Sequence, residues 1–191
     1  MSQTLYKIET AFHRLMPNWL FSPRYCLVYR APCLTRLPPD DYSSELQMRW
    51  AVEADTPALF KRSALNLRRL ELGDRAAVVM HGDKLVGKLW IARKVYCDWD
   101  TGLRVELAPH EAWLYGVWIH RDLRGKHLYS NLFAFACLSL QQESCQSLLL
   151  AVDWSNGLSQ RIHEAFGGQR MGSIYGARLL GHNFFRVKNA G

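Results

Sequence analysis

Apolar and polar positions recur with two periods along this chain, and the changes of period mark its elements. Leu5, Ile8, Phe12, Leu15 and Met16 fall at helical spacing, with Lys7, Glu9, His13 and Arg14 between them. That pattern predicts an amphipathic helix over 4–16, which Pro17 ends. Trp19, Leu20 and Phe21 follow it. Arg24–Arg30 alternates as a strand, and Pro32, Pro38 and Pro39 punctuate a loop. Leu46–Val52 reads as a strand. Asp55-Thr56-Pro57 starts a helix, with Asp55 or Thr56 as cap and Pro57 in the first turn. That helix runs to about Leu72 and stops at Gly73-Asp74.

From there the period shortens to two. Arg75–Met80 and Leu85–Val95 are β-rich runs joined by a hairpin turn, His81-Gly82-Asp83-Lys84. Leu103–Leu107 and Ala112–Ile119 are two more strands. A helix is predicted over Gly125–Gln142, a buried strand over Ser147–Val152 and a short helix over Asn156–Phe166. Gln169–Ile174 and Asn183–Val187 close the chain as strands. The first part is meander-like and the second crossover-like. The expected class is α/β (α+β), with a mixed, mostly antiparallel central sheet flanked by helices. Residues 1–44 form an extension of one amphipathic helix, a strand and a loop; residues 45–191 form the main domain.

Composition narrows the partners. A chain of 191 residues suits one domain with an appendage. Lys plus Arg is 24 and Asp plus Glu is 17, a formal charge of +7 that favours anionic partners. Nucleic acid, an acidic membrane surface and phosphorylated small molecules all qualify. The cations are spread out (Arg62, Arg68, Arg121, Arg161, Arg186), and no dense Lys/Arg tract marks a nucleic-acid arm. Residues 4–21, apolar with basic flanks, are suited to packing on the domain and also to lying on the inner face of a membrane. The cysteines number five, and none shows C-x-x-C spacing, so no metal site is expected and a reducing compartment is the simplest setting. The start has no secretory signature, and no run is apolar for the length of a bilayer. These features place the protein in the cytoplasm.

The strongest chemical signal is Ala112–Leu132, AWLYGVWIHRDLRGKHLYSNL. An apolar strand ends at Ile119, a basic turn follows (Arg121, Arg124, Lys126) with Gly125 at its centre, and a helix begins. The first N–H groups of a helix lack intrahelical partners, and its dipole adds positive charge there. A pyrophosphate suits that geometry, with Arg124 and Lys126 adding charge-assisted contacts.

These residues resemble the signature of the GNAT superfamily of acyl-coenzyme A-dependent N-acyltransferases. Its loop reads Arg or Gln, two residues, Gly, one residue, Gly or Ala, after a strand ending Val-x-Pro. Here Arg124-Gly125-Lys126 and the following helix match, while Arg121 replaces the Pro, His127 the first motif Gly and Tyr129 the second position. A second segment, Asn156–Gly168, is similar to the family's helix after its fifth strand through Asn156, Ser159, Ile162, Glu164 and Gly167. His163 stands where many members place the Tyr that acts as general acid, and Gly168 replaces a Phe. Met48–Phe60 resembles the family's first strand and helix entry, so the likeness covers roughly 45–187.

The resemblance implies acetyl-coenzyme A, or another acyl-coenzyme A, as donor and a small primary amine as acceptor, with no metal. It implies cofactor contacts from Val117, Ile119, Arg124, Gly125, Lys126, His127, Leu128, Tyr129, Asn156 and Ser159. Acyl transfer also needs a base for the amine and an acid for the leaving thiolate. The candidates are His163 as acid, His120 with its suitable intrinsic pKa, Tyr115 along the strand and Glu111 at its start. Two other readings stand beside the enzyme. One is a catalytically degenerate GNAT-fold binding module, favoured by the substituted loop glycines. The other is a nucleic-acid or membrane-surface binder, which the lack of a dedicated motif disfavours.

Overall fold

A computed structural model describes residues 21–33, 45–52, 55, 64–98, 102–179 and 182–189. In chain order its elements are β1 (Phe21–Pro32), β2 (Leu46–Trp50), α1 (Ala64–Glu71), β3 (Arg75–His81), β4 (Lys84–Ala92), β5 (Val95–Asp98), β6 (Leu103–Glu106) and β7 (Glu111–Ile119). A 3₁₀ turn at Arg121–Leu123 follows, then α2 (Leu128–Gln142), β8 (Ser147–Asp153), α3 (Gly157–Ala165), β9 (Gln169–Leu179) and β10 (His182–Asn189). The amphipathic segment 4–20 and the start of the helix expected at Thr56-Pro57 lie outside the described residues.

The chain divides into two compact units. One takes the chain up to Arg30, Tyr96–Val105 and Ala151 onward; the other takes Ala31–Val95 and Glu106–Leu150. In the first unit β10, β9 and β1 run side by side, each pair antiparallel. In the second the order is β8–β7–β4–β3–β2. There β2/β3, β3/β4 and β4/β7 are antiparallel, and β7/β8 is parallel. The mixed, mostly antiparallel sheet with helices is thus as expected.

The second unit buries both sides of its central strands, which is why β3 and β4 read as nearly continuous apolar runs. On one side Ala76, Val78 and Met80 of β3 cluster with Trp90 of β4, and Leu85, Ala51 and Tyr115 pack against them. On the other, Trp50 pairs with Ala77 and meets Phe135 of α2 at 5.8 Å. Helix α2 contributes Leu132, Phe133, Ala136, Cys137 and Leu140 to this core, all fully buried. Each of the Leu and Phe side chains contributes roughly 1.5–3 kcal/mol when taken out of water. Arg75 closes one edge, its guanidinium 3.9 Å above the Trp50 ring and 2.5 Å from Glu143.

Two boundaries differ from the sequence expectation, each for a local reason. The run Leu85–Val95 breaks at Arg93, whose guanidinium turns to donate to the carbonyls of Glu111 (2.9 Å), Pro109 (3.2 Å) and Glu143 (3.4 Å). Helix α2 begins at Leu128 and not Gly125, because Gly125 (φ 76°) and His127 (φ 55°) are both left-handed. Asp55 receives a two-pronged Arg49 guanidinium at 2.6 and 2.7 Å and the Val52 N–H at 2.7 Å, while the helix start it was expected to cap lies outside the described residues. The Arg49 partner holds its carboxyl below the usual carboxylate range.

One irregularity shapes everything downstream. Trp90 pairs with Tyr115 and Lys88 with Trp118, so Leu89 alone on β4 opposes Gly116 and Val117 on β7. This is a β-bulge. Gly116 sits at φ +59°, and a Cβ there would lie 3.0 Å from Trp90 Cδ1. A side chain would meet both the left-handed penalty and a fixed indole. Gly116→Ala is therefore expected to lower unfolding free energy by about 2 kcal/mol. Urea denaturation checks this; an unchanged midpoint would show that the bulge does not depend on glycine.

Candidate active site

The first four residues of β7, Glu111–Leu114, pair with Ser147–Leu150 of β8, and the parallel pairing ends there. Above that point β7 keeps only β4. His120 donates its N–H to the Val86 carbonyl at 2.8 Å, so the main chain at 118 and 120 faces β4. Main-chain groups alternate sides along a strand. Val117 and Ile119 accordingly aim theirs away from β4, on the side where β8 pairing has stopped. Val117 is 42% exposed. The upper half of β7 thus presents a short row of backbone donors, of the kind that polarises a carbonyl.

The chain then enters the 3₁₀ turn and the loop to α2. Arg124 Nε donates to the Ile119 carbonyl at 3.2 Å, which folds that cation back over the loop. Gly125 and His127 are left-handed on either side of Lys126, and the first α-helical bond runs from Asn131 N–H to the His127 carbonyl at 3.0 Å. Alternating hand turns successive N–H groups into one concavity, an anion nest, which here runs into a helix N-terminus. No atom lies within 4 Å of a Cβ built on Gly125, so the nest is open there. Arg124, Gly125, Lys126 and His127 are all exposed. Leu128 and Tyr129 offer only their main chain. The Leu128 side chain is buried, and Tyr129 packs on Phe133 at 6.2 Å, with burial pushing its phenol above the ordinary range.

The proton-transfer candidates separate on this geometry. Tyr115, half-buried beside the bulge, donates its hydroxyl to Asp74 Oδ2, and the Arg69 guanidinium lies 4.9 Å over its ring. Burial pushes the Asp74 carboxyl up, against the Tyr115 hydroxyl and Arg69, which draw it down. His120 is exposed at the end of β7, 3.7 Å from Asp122 and edge-on to Trp118 at 6.2 Å. Two candidates are corrected. Glu111 is 9% exposed at the start of β7, paired with Ser147 of β8, and its Oε2 accepts the Ala108 N–H at 3.3 Å. It fastens the loop before the strand, roughly 20 Å of extended chain from Val117. His163 is 2% exposed, and burial lowers its imidazole to about 4. Burial thus disfavours the imidazolium form, whose proton is the acidic one, and argues against His163 as the general acid.

Asn156, Ser159 and His163 belong to the first unit. Asn156 Oδ1 accepts the Ser159 N–H at 3.1 Å, which makes Asn156 the N-cap of α3. Sequence reasoning passed over Asp74, Arg69 and Lys88. Lys88 carried a signal, an ammonium interrupting the apolar run of β4; Asp74 read simply as the end of a helix. Among the described residues, no three His, Cys, Asp or Glu side chains are grouped to hold a metal ion.

Strands in this order, a bulged strand parting from its parallel neighbour, and a basic loop entering a helix define an acyltransferase-type α/β architecture. The family model for the GNAT acetyltransferase family matches residues 40–167, and the chain belongs to that family. Three solved structures share the fold. A Drosophila protein aligns with TM-score 0.61 and 15% identity, over 93% of this chain and 57% of its own. A functionally unknown conserved protein of Staphylococcus epidermidis aligns with TM-score 0.57 and 10% identity, over 100% and 69%. A protein of Novosphingobium aromaticivorans assigned to the GNAT family aligns with TM-score 0.55 and 14% identity, over 89% and 66%. The chain therefore spans little more than half the length of the Drosophila protein. A search of curated proteins returns no match.

Two measurements test these assignments. A non-glycine residue in the left-handed region is strained, so His127→Gly is expected to raise stability by roughly 1 kcal/mol while leaving the loop's N–H groups in place. A lower thermal midpoint would show that the imidazole makes a compensating contact. His163, lowered to about 4 in the fold, binds fewer protons folded than unfolded. Its contribution is present above its unfolded pKa near 6.5 and is lost as pH falls toward about 4. Between pH 7 and 5 the unfolding free energy from urea titrations should fall by about 2 kcal/mol more in the wild type than in His163→Phe.

Proposed function

We propose that this protein transfers an acyl group, acetyl by default, from acyl-coenzyme A to the primary amine of a small molecule. The observation that carries this is the continuity of one backbone path. The unpaired upper edge of β7 runs directly into the nest at Gly125–His127 and the N-terminus of α2. A donor with a pyrophosphate and a thioester at its far end has chemistry that fits such a path.

The roles follow from the geometry. Main-chain N–H groups over Gly125–Tyr129, with Arg124 and Lys126, would hold the pyrophosphate. Val117 and Ile119 N–H groups face the side on which the acyl carbonyl would lie, and would stabilise the oxyanion as the amine adds. His120 takes the amine proton, directly or through one water, since its exposed imidazole stands at the end of the same strand. Tyr115, fixed by Asp74, orients the reacting groups at the bulge. The thioester would supply the activated acyl group, and the leaving thiolate would take its proton from water; binding, orientation and removal of the amine proton belong to this chain. Membership of the family and the cytoplasmic setting expected from the cysteines agree with this reading.

Acetyl-coenzyme A binding by calorimetry is the test. Gly125→Asp keeps a residue that tolerates left-handed backbone and sets a carboxylate in the nest, so affinity should fall at least tenfold. His120→Ala should leave that affinity unchanged and lower kcat/KM on an accepted amine roughly 10²-fold. A folded wild-type protein that binds neither acetyl-coenzyme A nor longer acyl donors would instead be a degenerate GNAT-fold binding module.

A further inference from the structure

A cavity of about 860 Å³ lies in the second unit, bounded by the β3–β4 hairpin and by the end of β7 with the 3₁₀ turn. Trp118, Leu85 and Val86 give it an apolar wall, and His81, Lys84 and His120 stand at its exposed rim. Lys88 lines it from within. It pairs directly with Trp118 across β4 and β7, and it is half-buried where the rim residues are exposed. Burial pushes its ammonium below the ordinary lysine range, and the Arg69 guanidinium pushes it further the same way.

The chemistry of an occupant follows from these facts. A half-buried ammonium near a second cation is stabilised by a bound anion, and a charge-assisted contact there is stronger than one at the surface. Asp83 and Asp122 also line the cavity, both exposed. Asp122 is already engaged by Arg121 Nε at 3.3 Å and His120 Nδ1 at 3.7 Å. Carboxylates at a rim repel a polyanion, whereas one small anionic group passes them and reaches Lys88. The Trp118 indole, 38% exposed, offers a face for a flat apolar body.

We propose that this cavity is the acceptor subsite, and that it takes a small amine with a flat apolar body and one carboxylate or phosphate, the anion on Lys88 and the body against Trp118. The word acceptor rests on the acetyltransferase reading; recognition of the anion does not. Trp118 belongs both to this cavity and to the β7 edge, which places such a ligand beside the reacting position.

The test titrates benzoate, phenyl phosphate and benzamide into the full chain by calorimetry, with Lys88→Gln, Lys88→Arg and Trp118→Ala beside the wild type. At least one anion should bind ten times or more tighter than benzamide, and the stronger of the two identifies the anionic group. Lys88→Gln should remove that preference, Lys88→Arg should keep most of it, and Trp118→Ala should weaken all three ligands. Equal binding of benzamide and the anions, binding unchanged in Lys88→Gln, or no binding at all overturns the proposal. Acetyl-coenzyme A is titrated in parallel. Its loss in Lys88→Gln would assign the cavity to the donor and overturn the acceptor role. If no protein binds acetyl-coenzyme A while benzoate still discriminates, the acetyltransferase reading falls and the anion subsite stands.

Discussion

Strand β7 cannot satisfy its backbone in the same way along its whole length, and the site is built on that difference. From Glu111 to Leu114 it is paired with β8, at Trp113 and Leu114 with β4 as well, and its side chains are buried. At Gly116 a second residue is inserted against Leu89, and the strand beyond it is paired on one side only. Backbone N–H groups must find partners or water. A strand whose upper edge has lost its neighbour therefore offers ready hydrogen bonds to a ligand. The bulge is stable because Gly116 accepts a left-handed turn against the Trp90 indole, and Trp90 is held in the core with Ala76, Val78 and Met80.

The loop after β7 extends the same logic from neutral donors to charge. Its two left-handed residues turn N–H groups inward, α2 adds its dipole, and Arg124 is tied to the Ile119 carbonyl. The family uses glycine where this chain has His127, yet the backbone there keeps the left-handed conformation that glycine would adopt. The substitution has changed the side chain and the strain without removing the turn. The face carrying Tyr115, Arg69 and Lys88 is a different environment: cations over aromatic rings and one carboxylate, Asp74, bound to a phenol.

Much of the site was legible in local order. The strand, the basic turn and the helix start that hold Val117, Ile119 and Arg124–Tyr129 were readable because they are contiguous, and the open left-handed turn they form is a property of that contiguity. The acid and base were not. His163 occupies the right helix position, but a helix position does not reveal burial, and it is burial that leaves the imidazole neutral. Glu111 and Asn156 looked chemical by residue type; their neighbours turn them into a loop fastener and a helix cap. Asp74 and Tyr115 are 41 residues apart, and only the sheet brings the carboxyl to the phenol.

The sequence by itself determined the class of the fold, the order of the strands' periods and the basic turn between β7 and α2. Period and turn chemistry act over a few residues and are written in those residues. The tertiary structure alone decided where β7 leaves β8, which strand partner faces Lys88, which histidine stays in water and which is sealed from it. Those outcomes depend on pairing register and on desolvation, and both are set by residues distant in the chain.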